Sequence, residues 1–144
     1  VDKSSSKAFF LACTAVLFAN FYLNTILYNT VAAYNGEIKA AEYINRPAFD
    51  SAHIYTLKAE NNIFQFYSKR QIDYIPISSF NTFAAPENSV FYANHKSIDT
   101  LLKNHTNFKV LKTFETYPRE GILPAFINKA TRNKVLDSVY LISK

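Results

Sequence analysis

A chain of 144 residues is long enough for one domain with a hydrophobic core, but it is too short for two full domains. Its hydrophobic content of 49% excludes intrinsic disorder, and its two glycines, Gly36 and Gly121, argue against a glycine-rich phosphate-binding loop. The net charge of +5 comes from scattered basic residues, of which only Lys69 and Arg70 are adjacent, so nucleic acid is not an expected partner.

The first element in the chain is an uncharged run of 29 residues from Ala8 to Gly36. As a helix with a rise of about 1.5 Å per residue, this run extends roughly 43 Å, which exceeds the roughly 30 Å of a hydrocarbon core. Lys3 and Lys7 precede it, so the positive-inside tendency predicts a cytoplasmic N-terminus and an external location for residues 36–144. We therefore expect a transmembrane helix in residues 1–35, ended by Gly36 as its C-terminal cap.

Two other interpretations of this run stay open. A signal peptide would end in small residues, and Val31-Ala32-Ala33 would serve as its cleavage site. A core helix of a soluble domain is favoured by the asparagines within the run and by its mild average hydropathy.

Asn20 and Asn24 are one helical turn apart and therefore share one face of the helix. An amide without a hydrogen-bond partner is costly in lipid, so this face should turn toward other protein helices. We expect Asn20 and Asn24 to form a helix-packing face, with neighbouring transmembrane helices of the same or another chain as partners.

The rest of the chain alternates between strand and helix patterns. The patterns predict helices at 37–44, 60–69, 97–105 and around 125–130, and strands at 53–57, 74–77, 89–93, 108–114 and 135–142. This order is typical of an α/β fold. We expect a small mixed-sheet α/β sandwich of about five strands in residues 36–144, preceded by the long apolar helix.

No pattern of residues indicates catalysis or metal binding. The three histidines, His53, His95 and His105, lack metal-ligand spacing, and the single cysteine, Cys13, lies in the apolar run. A carboxylate pair formed by Glu115 and Glu120 is explained more simply by loop solvation. The aromatic and basic run 64–70 could stack on nucleic acid, but its helical spacing favours core packing. We predict no catalytic, cofactor-binding or metal-binding residue in this chain.

The chain begins with Val1 and contains no methionine. A natural open reading frame begins with Met, so we expect a fragment or a processed form of a longer protein. Catalytic residues would then belong to a part of that protein outside this sequence.

The apolar helix and several short segments after it share their order with a known family. These segments are Gly36–Asn45, Ile54–Leu57, Phe66-Tyr67 and Val139–Lys144. Together they resemble the C-terminal region of bacterial membrane glycosyltransferases of the GT-C type, including the aminoarabinose-transferase and protein-mannosyltransferase relatives. In that family the last transmembrane helix leads into a small external α/β domain that closes the chain.

The resemblance implies a transferase of the bacterial inner membrane that uses a polyprenyl-phosphate-linked sugar donor, with a divalent metal or acid–base chemistry in the full enzyme. The family's catalytic acids lie in an early external loop, and no position here matches them. Residues 36–144 would then be a non-catalytic periplasmic domain that supports acceptor binding or stability. Two alternatives remain: a membrane-tethered or secreted α/β binding module without catalysis, and a soluble α/β enzyme with an unrecognised site.

Overall fold

The computed structural model describes residues 3–59, 61–118, 121 and 123–144. The chain divides into two compact units, residues 1–34 and residues 35–144. The first unit is helical and the second has a mixed α/β architecture.

The first unit is one long helix in three parts, α1 (Lys3–Tyr22), a π-helical turn (Leu23–Leu27) and α2 (Tyr28–Ala33). Its residues 5–33, the apolar helix from here on, are long and apolar enough to cross a membrane. A signal sequence near an N-terminus meets the same criterion. None of its most apolar 18-residue stretch is buried, which distinguishes it from the core helix of a soluble domain.

The predicted helix cap at Gly36 is wrong, because Gly36 is the first residue of the next helix, α3 (Gly36–Ile44). The apolar helix ends three residues earlier, at Ala33. Asn35 has an extended backbone and caps α3, since its Oδ1 accepts hydrogen bonds from two N–H groups of the first turn at 3.1 and 3.2 Å.

Gly36 is needed for close packing rather than for a left-handed backbone. A Cβ at this position would lie 2.9 Å from Thr116 Cβ and 2.9 Å from Val139 Cγ2. Both distances are shorter than real Cβ contacts, so only glycine lets the start of α3 approach the two strands that carry these residues.

The second unit contains the strands and the remaining helices. Its strands are β1 (His53–Thr56), β2 (Ile72–Tyr74), β3 (Ser89–Asn94), β4 (Lys109–Thr116) and β5 (Asp137–Ser143). The α-helices that follow α3 are α4 (Asn62–Tyr67), α5 (His95–Lys103) and α6 (Pro124–Ile127).

The described strands form one mixed sheet in the order β2-β1-β3-β5-β4. β1 pairs in parallel with β2 and β3, whereas β5 runs antiparallel to both β3 and β4. The predicted fold class is therefore confirmed: the chain has a mixed α/β fold with a five-stranded mixed sheet, preceded by a long apolar helix.

Helices cover both faces of this sheet, and successive strand residues alternate between two cores. On the first face, α3 and α4 pack on the sheet, and the ring of Phe64 stacks on Tyr92 with 4.2 Å between ring centroids. On the second face, Ile98 and Leu101 of α5 pack with Phe80 of the segment between β2 and β3.

Candidate functional site

The connections of β1 define a switch point in the sheet. From β1 the chain passes through α4 on the first face to reach β2. From β2 it returns across the second face, through a segment containing Phe80, to β3 on the other side of β1. In open α/β sheets, ligands bind outside the carboxyl ends of the strands near such a point. The carboxyl edge of β1 is therefore the first place to look for a site.

A cavity of about 320 Å³ lies at this edge, on the side covered by α3 and α4. We call it the carboxyl-edge cavity. It is lined by Asn35, Glu37, Lys58, Asn62, Ile63, Thr116, Tyr117 and Val139. The lining combines ends of β1, β4 and β5 with the first turns of α3 and α4. Polar side chains outnumber apolar ones in this lining.

An ion pair forms one wall of the cavity. Lys58 Nζ lies 2.8 Å from Glu37 Oε1, and both side chains are largely shielded from solvent. The backbone of Lys58 is fixed by Thr56, whose hydroxyl accepts a hydrogen bond from the Lys58 N–H and donates one to the Lys58 carbonyl, both at 3.1 Å. The pair therefore links the start of α3 to the end of β1 in a defined geometry.

Asn61 lies next to the cavity residue Asn62 in the chain and has an unusual environment. It is 5% exposed, and its Nδ2 has no hydrogen-bond partner among the described residues. Its backbone begins α4, but its side chain does not cap that helix. A buried amide N–H without a partner is expected to be costly, so this nitrogen is a hydrogen-bond donor left open next to the cavity among the described residues.

The cavity suits hydrogen bonding to a polar ligand. Among the described residues that line it, Glu37 is the one carboxylate, and Lys58 neutralises that charge at close range. Amide groups from Asn35 and Asn62 and the phenol of Tyr117 add both donors and acceptors. The arrangement can orient uncharged polar groups of a ligand between a cation, an anion and an aromatic side chain.

The histidines lie on separate elements of the fold. His53 begins β1, whereas His95 begins α5 and its Nε2 lies 3.6 Å from Asp99 Oδ2. His105 follows α5 in a turn with a positive φ of 50°. Within the described residues, no three His, Cys, Asp or Glu side chains are grouped as metal ligands.

The two glutamates considered as a carboxylate pair are only partly described. Glu115 is exposed on β4, and Glu120 lies outside the described residues. No distance between the two carboxylates follows from the structure.

The aromatic and basic run 64–70 is divided between core and surface. Phe64 is fully buried, as its helical spacing predicts, but Phe66 is 82% exposed and Tyr67 is 46% exposed. The core interpretation is therefore wrong for Phe66 and Tyr67. Arg70 donates hydrogen bonds to the Phe49 carbonyl and pairs with an Asp50 carboxylate oxygen at 2.6 Å. Its guanidinium is thus used within the domain.

Asn20 and Asn24 lie in the apolar helix, where each side chain bonds to its own helix. Asn20 Nδ2 donates to the Val16 carbonyl at 3.1 Å, and Asn24 Nδ2 donates to the Asn20 carbonyl at 2.8 Å. This bonding uses one of the two N–H hydrogens of each amide. Sequence reasoning missed these contacts, although Asn, Ser and Thr are known to bond to the carbonyl four residues earlier in helices.

A larger cavity of about 770 Å³ lies at the opposite edge of the sheet, beside the ends of β3 and β5. Lys144 lines it, but the Lys144 ammonium already donates to three backbone carbonyls in the segment before β3, at 2.8 to 3.0 Å. This cavity lies at the amino ends of β1 and β3, away from the switch point. The carboxyl-edge cavity is therefore the better candidate site.

Comparisons with protein-family models, with curated proteins and with solved structures gave no match to this chain. Any functional assignment therefore depends on the residues themselves. The resemblance to GT-C type glycosyltransferases accordingly remains a prediction from the sequence.

Proposed function

We propose that this chain is the C-terminal region of a bacterial GT-C type membrane glycosyltransferase that uses a polyprenyl-phosphate-linked sugar donor. One observation carries the proposal: an apolar helix of 29 residues, none of whose most apolar stretch is buried, leads within two residues into an α/β domain. Residues 36–144 lie on the periplasmic side in this proposal. The family's element order, an apolar helix and then a small α/β domain, is the order seen here.

In this proposal the α/β domain binds and does not catalyse. The carboxyl-edge cavity supports that role: among the described residues that line it, the one carboxylate is paired with Lys58, and the other polar groups are amides, a hydroxyl and a phenol. The same cavity favours a second candidate function, a membrane-tethered or secreted binding module that acts without any transferase. The two differ in whether membranes that contain the native protein transfer sugar.

A topology experiment tests the membrane part of the proposal. Cys13 is replaced by Ser, and a single cysteine is placed at Lys7 or at the exposed Ser78. A maleimide that cannot cross membranes should label position 78, and not position 7, in intact bacterial spheroplasts. Labelling at 78 only after lysis would contradict the orientation. A mature chain that starts near Tyr34 and is recovered in the soluble fraction would show a signal peptide instead.

A kinetic experiment tests the transferase part. Native membranes are assayed for sugar transfer from a polyprenyl-phosphate donor, with Tyr117→Ala in the cavity and Phe66→Ala on the exposed surface as the matched control. If the domain supports acceptor binding, Tyr117→Ala raises KM for the acceptor and leaves kcat unchanged. No transfer by membranes that contain the native protein would favour the binding module. A fall in kcat at unchanged KM would contradict the binding role.

A further inference from the structure

The π-helical turn changes which side chains of the apolar helix share a face. The Tyr28 N–H bonds to the Leu23 carbonyl, five residues back rather than four, so this turn holds one residue more than an α-helical turn. In an uninterrupted α-helix, Asn29 would lie about 180° around the axis from Asn20. The additional residue reduces this angle to about 80°. The turn therefore brings Asn29 toward the side that carries Asn20 and Asn24.

These three amides are only partly satisfied within the helix. Asn20, Asn24 and Asn29 each donate one hydrogen to the carbonyl four residues earlier, at 3.1, 2.8 and 2.9 Å. An asparagine side chain has two N–H hydrogens and an oxygen acceptor. Among the described residues, the second N–H and the Oδ1 of each amide have no hydrogen-bond partner. Each side chain therefore still offers one donor and one acceptor.

The depth of these amides in the membrane decides which groups can form hydrogen bonds with them. This step rests on the proposed membrane location of the apolar helix. Residue 19 lies midway between the ends of the apolar helix, Ser5 and Ala33. At about 1.5 Å per residue, Asn20 is then about 1.5 Å from the bilayer centre and Asn24 about 7.5 Å from it. Both lie well within a hydrocarbon half-thickness of about 15 Å, where neither lipid nor water offers a hydrogen bond. Only another protein segment can pair them there.

We propose that Asn20, Asn24 and Asn29 form the surface by which the apolar helix packs against a second, separate membrane helix of the same transferase. The facing side of that helix carries Asn, Gln, Ser or Thr, because these side chains offer both a donor and an acceptor. An apolar helix would leave the amides unpaired. A charged side chain would itself be costly at this depth. The amides thus extend the packing face beyond Asn20 and Asn24 to the far side of the π-helical turn.

Photocrosslinking of the full native protein in its own membrane tests this surface. A photoreactive benzophenone amino acid is introduced at one position at a time. The test positions are Asn20, Asn24 and Asn29, the opposite-side controls are Phe18, Tyr22 and Ile26, and the straight-helix control is Val31. We expect crosslinked adducts with another protein segment at the three test positions, and no such adducts at the four controls. Mass spectrometry should locate the linked residue in an apolar segment of the partner, within one turn of an Asn, Gln, Ser or Thr.

Each contrary result has a distinct meaning. Adducts at Val31 in place of Asn29 would show an uninterrupted α-helix and overturn the alignment by the π-helical turn. Adducts at the opposite-side controls would show that a different face of the helix packs against the partner. Adducts of twice the chain mass would identify the partner as a second copy of the chain instead of a separate helix. Links to lipid alone, in a chain that resists alkaline extraction, would overturn the packing surface and leave the membrane setting intact. Release by alkaline extraction would refute the proposed function itself.

Discussion

Replacing Gly36 by alanine should destabilise the α/β domain, although alanine is the better helix former. The added Cβ would sit 2.9 Å from Thr116 Cβ and from Val139 Cγ2, and 3.1 Å from the Glu115 carbonyl oxygen. The Glu115 oxygen belongs to the backbone and the other two atoms to short branched side chains, so none can move aside as the end of a flexible chain would. Forcing a methyl group into such a space costs about 1–3 kcal/mol.

Alanine also brings a gain that reduces this cost. In a helix interior alanine is favoured over glycine by up to about 1 kcal/mol. Gly36 is the first residue of α3, where this difference in helix propensity is smaller. The net loss in the free energy of unfolding should therefore be about 1–2 kcal/mol. For a unit of this size, that loss lowers Tm by roughly 5–10 °C.

The measurement is thermal unfolding of the full chain in detergent, followed by the near-ultraviolet circular dichroism of its tyrosines. Glu42→Ala on the exposed side of α3 is the matched control, because it changes helix propensity without adding a contact, and its Tm should shift little. Val139→Ala removes one of the two closest atoms, Val139 Cγ2. The double variant Gly36→Ala with Val139→Ala should therefore lose less stability than the sum of the single variants. A Gly36→Ala protein that melts at or above the wild-type temperature would refute the steric explanation.

Three further substitutions test the packing and hydrogen bonding of the domain. Phe64→Ala, in the stacked and fully buried position, should lower the free energy of unfolding by about 3–5 kcal/mol, whereas Phe66→Ala in the same helix should change it by about 0.5 kcal/mol or less in urea titrations. Asn45→Ala removes two 3.0 Å hydrogen bonds that hold the chain at the end of α4 and directly after it. Hydrogen exchange at the Lys69 amide should therefore accelerate, and unchanged exchange would contradict that role. Lys144→Met removes three hydrogen bonds to backbone carbonyls and should cost about 1–3 kcal/mol, with a normal urea midpoint as the contrary result.

The strands could be predicted well because they are short runs rich in β-branched and aromatic residues. β3 was expected at 89–93 and runs over Ser89–Asn94, and β1 was expected at 53–57 and runs over His53–Thr56. The second predicted strand, at 74–77, is misplaced, since β2 runs over Ile72–Tyr74. Pro76 follows β2 closely, and proline is typical of edge strands and strand ends, which fits the position of β2 at the edge of the sheet.

Helix boundaries were harder because they depend on caps. α5 was expected at 97–105 and begins two residues earlier, since Asn94 Oδ1 accepts a hydrogen bond from the Ser97 N–H at 2.8 Å. Asp99 therefore lies beyond the first turn. The helix expected at 60–69 is shorter, Asn62–Tyr67, and residue 60 lies outside the described residues. Phe64 alone among its aromatics is fully buried, and Phe66, two residues later, lies about 200° away around the helix axis.

The carboxyl-edge cavity could not be predicted from local spacing. Glu37 and Lys58 are 21 residues apart, and Thr116 and Tyr117 follow only after a further 57 residues or more. No motif joins residues at such distances, so only the sheet order brings them together. The available signal was topological: polar residues directly after a buried strand, as Lys58 follows Thr56 and Leu57, mark the edge at which ligands bind.

The asparagines of the apolar helix show how the structure sharpens an inference from sequence. From the sequence each amide is expected to be wholly unpaired in lipid, whereas the structure pairs half of its donors with the helix backbone. The penalty for a lone span is thereby reduced, so a polar residue in the run argues less against the membrane than its side chain suggests. The unpaired N–H and oxygen that remain are directional, and the π-helical turn gathers them toward one side. A helix with that surface is stabilised most by a neighbouring helix that carries polar side chains. Such a neighbour is present when the helix is one of several in the membrane, and it is absent when the helix is a solitary anchor.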